Sequence, residues 1–173
     1  MKPGRGIRTR FSDDLLWLAY ATLEYIDFTG DTKILDIETP YLKGEILKEG
    51  EDERYDRYIE SGNTGTIYEH CIKAIEKSLN FGEHGLPKIG SGDWNDGMNE
   101  VGNKGKGESI WLGFFLYNIL PQWSHLTQAP SGTIGISLLS IKGTFITPYF
   151  FFLKTLIISP TYSLNSLLIK LVS

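Results

Sequence analysis

Apolar positions recur at helical spacing in three places along the chain. Between Ser12 and Gly30, the residues Leu15, Leu18, Ala19, Thr22, Leu23 and Ile26 form a stripe spaced three and four apart. Ser12 is placed to cap this helix, and Asp13 and Asp14 fall in its first turn, where carboxylates favour the positive end of the dipole. Gly30 supplies a stop. A second stripe of Ile67, Cys71, Ala74, Ile75 and Leu79 follows Thr66 and Glu69, which have the spacing of a capping box. A third segment, GESIWLGFFLYNIL, is more apolar still. The polar stretch ETPYLKGEILKEGEDERYDRY is interrupted by Pro40, Gly44 and Gly50 and reads as a long excursion. No strand-turn-strand series and no internal repeat stand out. The pattern predicts an all-α fold, with helices joined by long loops and the polar motifs in loops and at helix entrances.

Charge then divides the chain. All 21 acidic residues precede Pro121, while three of the 17 basic ones, Lys142, Lys154 and Lys170, lie after it. Residues 1–120 therefore carry 14 basic against 21 acidic groups, and residues 121–173 form a low-charge tail rich in Ser, Thr, Ile and Leu. We expect a domain break there, with a frameshift or fusion junction near Pro121 and the gene broken upstream of Met1. A membrane span needs about 18 apolar residues in a row. Lys142, Pro148 and Lys154 interrupt the tail, so a membrane segment is disfavoured. The net charge of -4 argues against a nucleic-acid partner. Cys71 is the single cysteine, so neither an internal disulfide nor a cysteine-rich zinc site can form. No apolar run follows the basic N-terminus, as a secretory signal would require, and the expected location is cytoplasmic.

The chemistry concentrates in IGSGDWNDGMNEVG, residues 89–102. Counted as an EF-hand from Asp93, glycine arrives one position early and Lys104 stands where glutamate is needed. GNKGKGES has the wrong spacing for a P-loop and follows no strand. Three scattered histidines carry no zinc signature, and no metal or cofactor is expected. A sugar site accounts for the residue types. Aromatics are 13% of the chain, and an indole can pack on a pyranose face while aspartate and asparagine reach its hydroxyls. A carboxylic acid beside a glycosidic oxygen can protonate the leaving group. On spacing alone a polar turn bonding its own backbone explains the loop as well. Likewise, Arg8 with Asp13 and Asp14 is either a surface arginine near helix-start carboxylates or a clamp on sugar hydroxyls.

Four stretches in order, GIRTRFSDDLLWL, GTIYEHCIKAIEKSL, FGEHGLPKIGSGDWNDGMNEVG and GKGESIWLGFFL, together resemble glycoside hydrolase family 94. These are inverting β-glucoside phosphorylases once filed as glycosyltransferase family 36. The wording is most similar to the phosphorylase-like domain of cyclic β-1,2-glucan synthases, and cellobiose and chitobiose phosphorylases share the framework. The resemblance covers about residues 4–120. It implies part of an (α/α)6 barrel with its active site where helix-connecting loops gather. It implies Asp96 as general acid, Trp94 as a sugar platform, and Arg8 and Asp14 as holders of the glucosyl unit, with Asp93 in support. The implied partner is a β-linked gluco-oligosaccharide, and inorganic phosphate is the co-substrate. An inverting glycosidase needs a second carboxylate about 6.5–9.5 Å from the acid to activate water. Phosphate is already a nucleophilic anion and needs alignment rather than a base. The family's phosphate-binding histidine and Thr-Gly loop lie beyond its DWND segment, a region this chain lacks. The alternatives are an inactive remnant with a carbohydrate-contacting loop, and a membrane-associated carbohydrate binder.

Overall fold

A computed structural model describes residues 5–95 and 98–126. Helix α1 spans Leu16–Thr29 and begins later than the sequence pattern predicts. Ser12 does not cap it; the cap position is Leu15, which makes no side-chain capping bond. The Ser12 hydroxyl and N–H instead both donate to the carbonyl of Gly92, at 3.1 and 3.0 Å, so a partner distant in sequence overrides the local cap. Gly30 ends the helix in the left-handed region at φ 71°, its N–H bonded to the Ile26 carbonyl at 2.8 Å. The predicted stripe is partly corrected. Leu16, Ala19, Thr22 and Leu23 are buried, whereas Leu15 and Leu18 are 46% and 42% exposed. Because α1 is apolar on nearly every side, its sequence leaves the inward face underdetermined.

Helix α2, Ile67–Ser78, carries the predicted capping box. The Thr66 hydroxyl accepts from Glu69 N–H at 3.2 Å, and the Glu69 carboxylate accepts from Thr66 N–H at 2.9 Å. It buries Cys71, Ile72, Ala74, Ile75 and Ser78. Helix α3 is a single turn, Asn99–Gly102. Helix α4 spans Ile110–Leu126 with Pro121 inside it, so the predicted third helix runs through the expected break. Residues up to Trp123 form one compact unit. From residue 127 the low-charge tail lies outside the described residues.

Among the described residues, the all-α expectation is corrected by four strands in two antiparallel pairs. Strand β1, Arg5–Thr9, pairs with β3, Glu53–Arg57, from Arg5 opposite Arg57 to Thr9 opposite Glu53. Strand β2, Glu38–Lys43, pairs with β4, Ile59–Thr66, with a register shift between Pro40 and Leu42. The excursion read as a loop thus holds β2 and β3. The pairings interleave, so no two partners are joined by a short turn, and the local signal of a hairpin never arises. A short 3-10 helix, Thr32–Asp36, leads from α1 to β2 and is capped by Asp31, whose carboxylate accepts from Lys33 N–H at 3.0 Å.

Three helices share the core. Leu16, Ala19 and Leu23 of α1 are buried together with Cys71, Ala74 and Ile75 of α2 and Leu112, Leu116, Ile119 and Trp123 of α4. Burying each such aliphatic side chain contributes about 1.5–3 kcal/mol. The Trp123 indole N–H donates to the Ala19 carbonyl at 3.3 Å, tying α4 to α1. The Thr22 hydroxyl and Cys71 thiol lie 3.6 Å apart across the contact of α1 with α2. Among the described residues no helix is long and apolar enough to cross a membrane.

Candidate functional site

Glycines bring three backbone segments together at the loop that carries Trp94. Gly90 has a positive φ of 64° and bridges to Phe11, and a Cβ on it would lie 3.0 Å from the Arg10 carbonyl. A Cβ on Gly102 would lie 1.8 Å from the Gly90 carbonyl, so only glycine fits there. On the far side, Ile89 N–H donates to the Gly107 carbonyl at 2.9 Å. With Ser12 bonded to Gly92, the loop is fastened to both the start of α1 and the approach to α4.

Asp93 completes the fastening. It is buried, with Oδ1 accepting from Asn95 N–H at 3.0 Å and Oδ2 accepting from the Ser109 hydroxyl. That hydroxyl in turn accepts from Leu112 N–H at 2.9 Å, in the first turn of α4. Both Asp93 oxygens are therefore engaged within the protein. Trp94, the next residue, is 65% exposed. Its ring leans on Trp111, with centroids 6.2 Å apart and planes 19° apart, and on Trp17 at 5.9 Å and 49°. Asp96 and Gly97 lie outside the described residues.

The two neighbouring aspartates that precede α1, outside the first turn where the sequence placed them, part company. Asp13 is buried and its carboxylate accepts the Trp17 indole N–H at 3.1 Å. Burial raises its pKa above the usual carboxylate value; the Trp17 bond opposes this, and the charges of Asp14 and Asp93 add to it. Asp14 is exposed and accepts the Thr9 hydroxyl. Arg8, on β1, sits 5.5 Å over the Tyr58 ring. Tyr58 is buried against Gly44, where a Cβ would come within 2.5 Å of its ring, and its hydroxyl donates to the Arg54 carbonyl at 3.2 Å.

Arg8 and Asp14 line one cleft of about 1150 Å3. Arg10, Lys77 and Lys88 also line it, so among the described residues Asp14 is its single carboxylate against four cations. Asp93 and Trp94 are not among its walls. The structure thus joins Arg8 to Asp14 in the cleft, and Asp93 to Trp94 in the loop. The two groups are linked through Ser12, Asp13 and Trp17. Sequence reasoning missed Tyr58, Ser109, Trp17 and Trp111, whose partners are far away in the chain. It also missed Glu108, which is half-buried and accepts from His84 N–H at 2.9 Å, holding the turn that precedes the loop. His70 is packed: its ring stacks on Tyr41 with centroids 4.0 Å apart.

Residues 7–133 match the model of the glycosyl hydrolase 94 superfamily catalytic domain. Over 116 residues, 66% of the chain, it is 43% identical to the cyclic beta-(1,2)-glucan synthase NdvB of Rhizobium meliloti (strain 1021). Over 119 residues, 68% of the chain, it is 34% identical to the solabiose phosphorylase of Paenibacillus borealis. Over 124 residues, 71% of the chain, it is 28% identical to the N,N'-diacetylchitobiose phosphorylase of Vibrio furnissii. The chain spans a small part of these relatives, 4% of the first and 13% of the other two. The order of motifs, the glycine-fastened loop and the family match lead to one assignment: the chain belongs to the glycosyl hydrolase 94 superfamily, within its catalytic domain.

Proposed function

We propose that this chain is part of the catalytic domain of an inverting β-glucoside phosphorylase or cyclic β-1,2-glucan synthase, and that its helices belong to an (α/α)6 barrel. The substrate is a β-linked gluco-oligosaccharide, and the reaction uses inorganic phosphate on the cytoplasmic side of the membrane. Asp96 gives its proton to the glycosidic oxygen as the bond from that oxygen to C1 breaks. A phosphate oxygen attacks C1 from the opposite face, leaving an α-glucosyl phosphate and a shortened sugar. Trp94 supports the sugar ring, and Arg8 and Asp14 hold its hydroxyls.

The observation that carries this reading is the division of labour in the loop. Asp93 is buried with both oxygens engaged, which suits an anchor and not a proton donor. Trp94 beside it is largely exposed, as a platform must be. The cations around Arg8 and Asp14 favour an anionic co-substrate. The test is made in a family 94 catalytic domain that contains this segment. Asp96→Asn keeps the shape and removes the proton, and should lower turnover by about 10²–10⁴-fold. Trp94→Ala should weaken sugar binding as well as rate. Asp93→Asn should be milder than Asp96→Asn. Near-normal turnover in Asp96→Asn with none in Asp93→Asn would reverse the two roles. Sugar binding with no turnover in the unaltered domain would favour a carbohydrate-contacting remnant.

A further inference from the structure

Trp94 sits on a loop, yet a sugar platform must hold its plane, and the ring contacts around it show how that is done. Of the four tryptophans, Trp17, Trp94 and Trp111 gather on one surface, while Trp123 is in the core. Trp17 comes from α1 and Trp111 from α4, two helices joined through the core. Trp17 is itself fixed. Its indole N–H is taken by buried Asp13, Phe115 packs on it at 4.7 Å, and Tyr20 meets it edge-on at 5.8 Å and 88°. Trp111 packs on the same Phe115 at 5.2 Å. Trp94 is the most exposed of the three, 65% against 37% for Trp17, and it rests on two indoles carried by helices.

We propose that Trp17 and Trp111 are positioning residues that set the plane in which Trp94 presents its free face to a glucose ring, so that sugar affinity depends on rings that do not touch the sugar. This rests on the carbohydrate reading of the loop. Preorganised aromatic contact matters because a platform that tumbles must be ordered on binding, and that ordering subtracts from affinity.

Two measurements on the full chain test it. The first needs no ligand. Neighbouring indoles whose transitions are neither parallel nor perpendicular couple, giving a paired positive and negative band in circular dichroism. Trp94→Leu and Trp111→Leu should each weaken the band, because each leaves one coupled pair with Trp17, and the double variant, which leaves Trp17 alone of the three, should abolish it. Helical signal per residue and the thermal midpoint check that each variant is folded. The second is a titration with sophorose, the β-1,2-linked glucose disaccharide, followed by tryptophan emission. Trp111→Leu should weaken binding about three- to tenfold, the equivalent of one aromatic pair. Trp111→Phe, which keeps a ring beneath Trp94, should recover most of that loss. Trp17→Phe keeps the ring and loses the bond to Asp13, and should fall between the two. A folded Trp111→Leu variant with wild-type band and wild-type affinity overturns the proposal. If the unaltered chain takes no sophorose, the carbohydrate reading falls, and the shared band alone decides whether the rings position Trp94.

Discussion

Asp13 and Asp14 are adjacent in the chain and differ in every physical respect. Asp14 faces the cleft, exposed. Asp13 is buried, and burial raises its pKa above 3.8. A carboxyl whose folded pKa exceeds its unfolded value favours the fold while protonated. That contribution is present below the unfolded value and is lost as pH rises through the folded one. Its bond to the Trp17 indole N–H favours the charged form and opposes the effect of burial. Asp13→Asn keeps an acceptor for the indole N–H and removes the charge. It should raise the thermal midpoint at neutral pH, and the gain should shrink as pH falls toward 4. A midpoint lowered at every pH would mean that the charge itself is needed. Ser109 makes the opposite case. Its hydroxyl both satisfies Asp93 and caps α4, and both bonds are buried. Ser109→Ala leaves a carboxylate short of a donor as well as an uncapped helix, and should cost about 1–3 kcal/mol in a denaturant titration.

Among the elements, helices were legible in the sequence and strands were not. The α2 capping box lies within four residues, so Thr66 and Glu69 announce it in any context. Thr66→Ala should cost about 1 kcal/mol of stability. The inward face of α1 was only half legible, since Leu15 and Leu16 are equally apolar and only packing in the folded core decides between them. Strands β1 and β3 carry Arg5, Arg8, Glu53 and Arg57 and meet only when the intervening chain has folded. Of the site, Trp94 and the glycines were legible as chemistry, whereas the anchoring of Asp93 by Ser109 was hidden by distance. The turn leading into β3 is held by charge. Arg54 donates to Glu51 and, at 2.7 Å, to Glu45. The Arg54 bond holds the Glu51 pKa down at about 2. A depressed carboxyl stabilises the fold above its unfolded value near 4.5 and loses that effect as pH falls toward 2. Glu51→Gln should therefore flatten the acid side of the stability profile, in the window where Asp13→Asn changes least. An unchanged acid limb in Glu51→Gln would show that the pair is screened by solvent.

At the scale of the molecule, α1 and α4 carry the loop of Trp94, and the cleft of Arg8 and Asp14 adjoins it through Ser12. The core of α1, α2 and α4 holds Trp17 and Trp111 in place. The glycine contacts bring the loop of Trp94 onto these indoles, and Ser12 ties the loop to the start of α1 beside Asp14. In the proposed reading the fold serves a loop that binds a ring and carries an acid, and the central claim is that the acid is Asp96. General acid catalysis has a signature that positioning lacks, because it matters only when the leaving group needs a proton. The decisive measurement compares wild-type and Asp96→Asn family 94 domains on two β-glucosides with phosphate, one with glucose as leaving group and one with a nitrophenolate. The account predicts a loss of about 10²–10⁴-fold on the sugar leaving group and a far smaller loss on nitrophenolate, which departs without a proton. An equal loss on both would contradict it, and would make Asp96 a residue that shapes the site without supplying the proton.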